Sequence, residues 1–187
     1  MTEKEKMLSG ELYNAGEPEL VVARARAKKL CKIYNQDEEH AVLRELLGQC
    51  PSEITIEPHF KCDYGSNIFL GDNFYANFDL TILDVCKVVI GKNCLIGPKV
   101  GIYSATHPLE VGLRREGAEF GRSISIGDDC WIGGHSVINP GVTLGKNVVV
   151  ASGSVVTKSF GDHVLIGGVP AKILKEFPFE PPSQQNC

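Results

Sequence analysis

Aliphatic residues return at every sixth position over a long stretch of this chain. The series comprises Ile126, Ile132, Ile138, Leu144, Val150 and Val156, and an earlier one comprises Ile90, Ile96 and Ile102. A half-buried strand would alternate every two residues, and an amphipathic helix would return every three or four. A period of six is typical of a hexapeptide solenoid, in which three hexads close one coil of about 18 residues. The sequence therefore predicts a mainly β fold, a parallel β-helix.

The composition excludes several classes of function. The chain has 187 residues, a net charge of -4 and 43% hydrophobic residues, which is ordinary for a globular protein. An acidic chain has no basic face for nucleic acid. No apolar run approaches the ~20 residues that span a bilayer, and the N-terminus lacks a signal-peptide core. Seven cysteines are present without a C-x-x-C pair, which favours free thiols. We therefore predict a cytoplasmic protein that binds neither nucleic acid nor membrane.

Three segments follow from the sequence pattern. Residues 1–52 are predicted to be a helical segment, with a capping box at Thr2 and Glu5, a helix starting near Pro18, and a second helix from Asp37 to Leu47. Residues 53–174 are predicted to form the solenoid, interrupted by a polar loop at 107–122. Residues 175–187 are predicted to be a C-terminal tail. Because loops this long without regular structure are often functional, the loop is a candidate site.

His107 is the strongest of five histidine candidates for a catalytic base. It stands where the repeat breaks off into the loop, and Pro108 restricts its backbone to extended conformations. Histidine suits general base catalysis because its pKa lies near the working pH.

Several sequence blocks together carry a resemblance to a known family. They are CDYGSN from Cys62, NFYANFD from Asn73, YSATHPL from Tyr103, the opening EKEKMLSGELY and the closing GGVPAKIL. With the hexads, they make the chain similar to the family of sugar O-acetyltransferases that includes the maltose and galactoside enzymes, and nearer to the maltose group. The resemblance implies a left-handed parallel β-helix and a homotrimer. It also implies that acetyl-CoA, the co-substrate, lies between neighbouring subunits and that no metal is needed.

The resemblance also implies roles for individual residues. His107 would be the general base and Asn77 the donor to the oxyanion or the sugar. Sugar-binding candidates are Asp63, Asp84 and Glu119, with Asp79 as a further acid. The implied cofactor contacts are Gly134, Ser152, Thr157, Lys158, Lys172 and Lys175, the last two near the nucleotide phosphates. The galactoside enzymes carry an acid near Ala15, and its absence here favours a glucosyl acceptor such as maltose or glucose.

Other functions remain open at this point. The same acetyl transfer could use a galactoside, an amino sugar, an antibiotic or serine as acceptor. A metal-dependent hydratase on the same solenoid would need three histidines meeting one zinc, and no second histidine lies within a few residues of His107. A scaffold solenoid without chemistry would need no histidine at the loop exit.

Overall fold

The computed structural model describes residues 1–178, so most of the predicted tail lies outside the described residues. Three helices open the chain: α1 (Glu3–Ser9), α2 (Pro18–Asp37) and α3 (His40–Leu46). The predicted capping box is confirmed, since Thr2 accepts from the Glu5 N–H and Glu5 accepts in return. The second predicted helix starts late, because Glu38 adopts a left-handed backbone with φ 53°. Among residues 1–178, no helix has the length and apolarity needed to cross a membrane.

The rest of the chain winds into a parallel β-helix with three faces, which confirms the predicted fold class. The seven-stranded face contains β2 (Ile54–Ile56), β5 (Phe74–Ala76), β8 (Leu95–Ile96), β13 (Trp131–Ile132), β16 (Val149–Val150), β18 (Val164–Gly168) and the antiparallel β19 (Ala171–Glu176). The five-stranded face contains β3 (Lys61–Cys62), β6 (Thr81–Leu83), β9 (Gly101–Tyr103), β14 (Val137–Ile138) and β17 (Val155–Val156). The four-stranded face contains β4 (Ile68–Leu70), β7 (Val88–Ile90), β12 (Ile124–Ile126) and β15 (Thr143–Leu144).

The six-residue period corresponds to one face of one coil. Ile132 pairs with Val150 and with Ile96, and all three side chains are buried. Residues 18 apart thus stack in the later coils, as the period predicts. In the first coils the step is 20 residues, for example from Ala76 to Ile96. Burying each such side chain contributes roughly 1.5–3 kcal/mol, so the stacked column is the main stabilising feature of the fold.

The segment 107–122 has regular structure, contrary to our expectation of a loop without it. It contains a short helix, α4 (Val111–Arg115), and a strand, β11 (Ala118–Gly121). Strand β11 pairs antiparallel with β10 (Ala105–Thr106) on one side and with β1 (Tyr13–Asn14) on the other. The polar composition of this segment gave no sign of the strand, and one of its two partners, β1, lies about 100 residues away in the sequence.

A second apolar cluster joins the N-terminal segment to the solenoid. It contains Met7, Tyr13, Leu20, Tyr64, Val85 and Cys86. The N-terminal residues therefore pack under the strand β11 and beside the first coils, and they contribute to the surroundings of the loop.

The corner glycines offer a test of coil stacking. A Cβ at Gly127 would lie 2.5 Å from the Gly145 carbonyl oxygen, which is backbone of the next coil, whereas a Cβ at Gly161 meets nothing within 4 Å. We expect Gly127→Ala to lower the free energy of unfolding by about 1–3 kcal/mol, as overpacking does. Gly161→Ala should change it by less than about 0.5 kcal/mol. Denaturant unfolding measures both, and equal effects would contradict the stacking argument.

Candidate active site

The predicted site residues gather at two different corners of the prism. The first corner, here the 7–5 corner, is where the chain passes from the seven-stranded to the five-stranded face. The second, the 5–4 corner, is where it passes from the five-stranded to the four-stranded face. Asn77, Gly134 and Ser152 lie at the 7–5 corner on three of four successive levels, and Gly97 occupies the level between Asn77 and Gly134. His107, Asp63 and Asp84 follow strands of the five-stranded face and lie at the 5–4 corner.

The 7–5 corner carries a groove of about 510 Å³. Its lining comprises Tyr75, Asn77, Leu95, Ile96, Gly97, Pro98, Trp131, Gly133, Gly134 and Ser152. Leu95 and Trp131 pair across neighbouring strands and are 49% and 54% exposed, so they form an apolar wall. Glycine lets successive coils stack closely here, since a Cβ at Gly97 would lie 2.5 Å from the Gly134 nitrogen. Gly97 and Gly134 are themselves only partly buried, so their backbone is reachable from the groove. A groove with an apolar wall and exposed backbone suits a long ligand with amide groups.

Asn77 has a fixed orientation at the end of this groove. Its Oδ1 accepts from the Phe78 backbone N–H at 2.8 Å. The Nδ2 group of the same side chain remains available to donate outward. Nearby Asp79 adopts a left-handed backbone with φ 64°, which is the geometry of a tight turn.

His107 is exposed at the 5–4 corner, and its ring is tied to strand β11. Its Nδ1 lies 3.3 Å from the carbonyl oxygen of Ala118. Because a carbonyl only accepts hydrogen bonds, Nδ1 is the protonated nitrogen, and Nε2 carries a free lone pair. This arrangement leaves Nε2 able to accept a proton from a bound group.

Two predicted sugar-binding acids, Glu119 on β11 and Asp63 after β3, interact electrostatically. Glu119, the neighbour of Ala118, accepts from the Tyr13 hydroxyl at 2.7 Å. Burial, and then the negative charge of Glu119, raise the pKa of Asp63, while Arg24 and Lys28 oppose that shift. The negative charges of Asp63 and Glu119 therefore interact. Carboxylates of this kind accept hydrogen bonds from hydroxyl groups.

Asp84 does not match its predicted role as a direct sugar contact. It is 0% exposed. Its carboxylate accepts from the backbone N–H groups of Asp63 at 3.0 Å, Tyr64 at 2.9 Å and Asn67 at 3.3 Å. Asp84 instead holds the turn that carries Asp63. Burial raises the pKa of Asp84 to about 7, although the bonds from Tyr64 and Asn67 oppose the shift.

The remaining predicted cofactor residues lie outside the groove. Thr157 and Lys158 follow β17 at the 5–4 corner, and the Lys158 Nζ lies 5.5 Å from the centre of the Phe160 ring. Lys172 and Lys175 are exposed on β19, opposite Gly167 and Leu165. Thr157 and Lys158 therefore lie at a different corner from Gly134 and Ser152. Lys172 is nearer, since its partner Gly167 lies beside Ala151.

Sequence reasoning missed several residues around these sites. Tyr75 and Leu95 lie on the same face as Trp131, each one position before an inward residue and therefore pointing outward. This shared position in the hexad is the sequence signal that could have identified the groove wall. Tyr13 and Arg24 could not be found this way, because long-range contacts bring Tyr13 to Glu119 of the loop and Arg24 to Tyr64. Within residues 1–178, no cluster of three or more His, Cys, Asp or Glu side chains could hold a metal ion.

These features define a hexapeptide-repeat protein with a histidine at the break in its repeat. Two family models match the chain: the maltose acetyltransferase hexapeptide capping motif over residues 6–51, and the hexapeptide repeat of succinyl-transferase over residues 87–107 and 123–158. Nodulation protein L of Rhizobium meliloti is 44% identical over 92% of this chain and 97% of its own length.

Two solved structures are similar over nearly the whole chain. A maltose O-acetyltransferase from Clostridium difficile superposes with a TM-score of 0.93 at 45% identity, covering 96% of this chain and 99% of the other. A galactoside acetyltransferase in complex with coenzyme A gives a TM-score of 0.90 at 38% identity, covering 94% and 91%. The chain belongs to the family of maltose and galactoside O-acetyltransferases.

The buried Asp84 makes stability depend on pH. Its folded pKa of about 7 lies above the ordinary aspartate value of 3.8, so the folded state binds the proton more tightly than the unfolded state. Protonation therefore favours folding, and this contribution is lost as pH rises from about 4 to about 7. We expect the free energy of unfolding of the wild type, relative to Asp84→Asn, to fall across that range. Urea titrations of both proteins at several pH values measure this difference in free energy of unfolding. A difference that stays constant or rises with pH would contradict the raised pKa of Asp84.

Proposed function

We propose that this protein transfers the acetyl group of acetyl-CoA to a hydroxyl of a sugar, with His107 as the general base. The observation that carries the proposal is the bond between the Nδ1 of exposed His107 and the carbonyl of Ala118, which leaves Nε2 free to take a proton. Membership of the maltose and galactoside O-acetyltransferase family supports the reaction class.

We propose the groove at the 7–5 corner as the site of the pantetheine arm of acetyl-CoA. Gly134 and Ser152 expose backbone and hydroxyl groups there, and Leu95 and Trp131 offer apolar surface. Coenzyme A is bound in the related galactoside acetyltransferase structure, which supports this choice. Lys172 and Lys175 would meet the nucleotide phosphates from β19. Thr157 and Lys158 would contribute from the neighbouring subunit's corner.

The proposed reaction is a direct attack without an acetyl-enzyme. The sugar oxygen attacks the thioester carbonyl carbon while the Nε2 of His107 takes the hydroxyl proton. The Nδ2 group of Asn77, oriented by the bond of Oδ1 to Phe78, donates to the developing oxyanion. Cleavage of the C–S bond releases the CoA thiolate, which takes the proton back from the imidazolium. The products are the acetylated sugar and CoA.

The separation of the two corners supports a shared site in a homotrimer. Asn77 and Asp84 stand at opposite edges of the five-stranded face, with the turn at Asp79 and the strand β6 between them. At about 3.3 Å per residue the strand alone spans about 10 Å, too far for both corners to reach one reacting carbon. A second copy in a closed cyclic assembly would supply His107 to the Asn77 of its neighbour.

The acceptor is proposed to be a glucosyl sugar such as maltose or glucose. Asp63 and Glu119 are the proposed contacts, with Asp84 positioning Asp63. Ala15 offers no carboxylate, and its carbonyl oxygen accepts from the Arg24 guanidinium at 2.6 Å. A galactoside, an amino sugar, an antibiotic or serine is the alternative acceptor, and CoA release with a panel of these compounds discriminates among them. Dependence on acetyl-CoA and the six free thiols among the described residues support a cytoplasmic location.

Replacement of His107 tests the base. His107→Ala should lower kcat by about two to four orders of magnitude, the usual contribution of a general base, with little change in binding of acetyl-CoA. The matched control is His163→Asn, at the corner between the four- and seven-stranded faces, where φ is 57° and asparagine is tolerated. Steady-state CoA release measures both variants. A His107→Ala enzyme that keeps more than a tenth of the wild-type kcat would remove His107 from this role.

Mixed assemblies test the shared site. His107→Ala and Asn77→Ala, each separately tagged, should both be nearly inactive alone. When the two are co-expressed in equal amounts, about a quarter of the interfaces should pair an intact His107 with an intact Asn77, so activity should return to roughly that fraction of the wild type. The control is the double variant, His107→Ala with Asn77→Ala, expressed with both tags, which should stay inactive. Assemblies that contain both tags and stay inactive would show that each chain holds its own complete site.

A further inference from the structure

Two thiols lie in contact between the N-terminal segment and the first coil. Cys31 is on α2, and Cys62 ends β3. Their Sγ atoms are 3.6 Å apart, and the residues are 6% and 7% exposed. The contact joins two elements that are 31 residues apart in the sequence and that have no covalent link near this point.

A cavity of about 640 Å³ gives small molecules access to this pair. Both thiols line it, together with Lys28, Lys32 and Asp63. Through this cavity a small oxidant can reach the thiolate, which is the reactive form of cysteine. Cys94 and Cys130 are different: they are 0% and 1% exposed and donate to the carbonyl oxygens of Gly127 and Gly145 inside the solenoid.

The two thiols differ in acidity. The hydrogen bond from Cys62 lowers the pKa of Cys31, against the effect of burial. The neighbouring Cys31 sulfur and burial raise the pKa of Cys62. Once one proton has left, the pair holds the second more tightly, so one sulfur can act as the nucleophile while the other stays protonated.

We propose that Cys31 and Cys62 form an oxidisable thiol pair that closes to an intramolecular disulfide when the protein meets a peroxide. The Cys31 thiolate attacks one oxygen of hydrogen peroxide, and with one proton it gives a sulfenic acid and water. The Cys62 sulfur then attacks the sulfenic sulfur, and its thiol proton leaves with the hydroxyl as a second water. In sum, two thiols and one hydrogen peroxide give one disulfide and two waters. A dithiol reductant reverses the change by thiol–disulfide exchange.

Closure would change the cavity beside Asp63. A disulfide holds its sulfurs about 2.0 Å apart, so α2 and the end of β3 must approach each other or turn their side chains. Asp63 follows Cys62 directly, and Lys28 lies one turn before Cys31 on α2. Given the proposed function, in which Asp63 contacts the acceptor, the oxidised form should have an acceptor KM several-fold above that of the reduced form. The acetyl-CoA KM should not change.

The first experiment detects the disulfide directly and does not depend on enzyme activity. Full-length reduced protein is treated with a small excess of hydrogen peroxide, alkylated and mapped by mass spectrometry without reduction. The expected result is a Cys31–Cys62 cross-link that forms before any other and disappears with dithiothreitol. Cys31→Ser and Cys62→Ser should each abolish it, and Cys50→Ser, a half-buried thiol outside the pair, should not. If Cys31 and Cys62 stay reduced, or pass separately to sulfinic acids, the proposal is wrong.

The second experiment measures how the disulfide changes the kinetics of the enzyme. Acceptor and acetyl-CoA kinetics are compared for reduced and oxidised wild type and for the same treatments of Cys31→Ser, whose fold is checked by its melting temperature. A several-fold rise in acceptor KM confined to the oxidised wild type supports control of acceptor binding by the Cys31–Cys62 disulfide. Unchanged kinetics in a fully cross-linked sample would overturn that control. Lack of acetyl transfer in the reduced enzyme would count against the proposed function, and the mapping result would be unaffected.

Discussion

The inward stacking of one aliphatic side chain per face and coil is the constraint on which this structure depends. Parallel hydrogen bonds align each strand with the one below, so that Ile96, Ile132 and Val150 form one buried column. Because the column must stay closed, the backbone can turn only at three corners. Glycine and left-handed asparagine or aspartate residues make those corners tight, as at Asn93 with φ 56° and Asp129 with φ 60°. Function is thereby confined to the corners and to what departs from them.

The two functional corners divide the chemistry between them. The 7–5 corner offers a groove with exposed backbone and an apolar wall formed by Leu95 and Trp131. The 5–4 corner offers a histidine and carboxylates on the segment that leaves the solenoid. A rigid prism keeps these corners apart, since no hinge in the stacked coils could bring them together. In the proposed mechanism, an assembly of several copies places the base of one chain beside the thioester held by its neighbour.

The surroundings of His107 show how distant parts of the chain support one residue. Strand β11 carries both Ala118, whose carbonyl faces the His107 ring, and Glu119, which Tyr13 holds from β1. The turn containing Asp63 depends on the buried Asp84. The N-terminal segment therefore takes part in the candidate acceptor site, and its contact with the first coil runs through Cys31 and Cys62.

The sequence by itself determined the repeat, and with it the solenoid, the inward residues and the place where the repeat breaks at His107. These are local and periodic properties, so the spacing of residues along the chain is enough to predict them. It also determined the capping box at Thr2, which needs only four consecutive residues. The tertiary structure alone decided that residues 107–122 contain a strand, that Asp84 is buried, and that Thr157 lies away from Gly134. Each of these depends on contacts between residues far apart in the chain, where coil stacking and burial, not spacing, set the geometry.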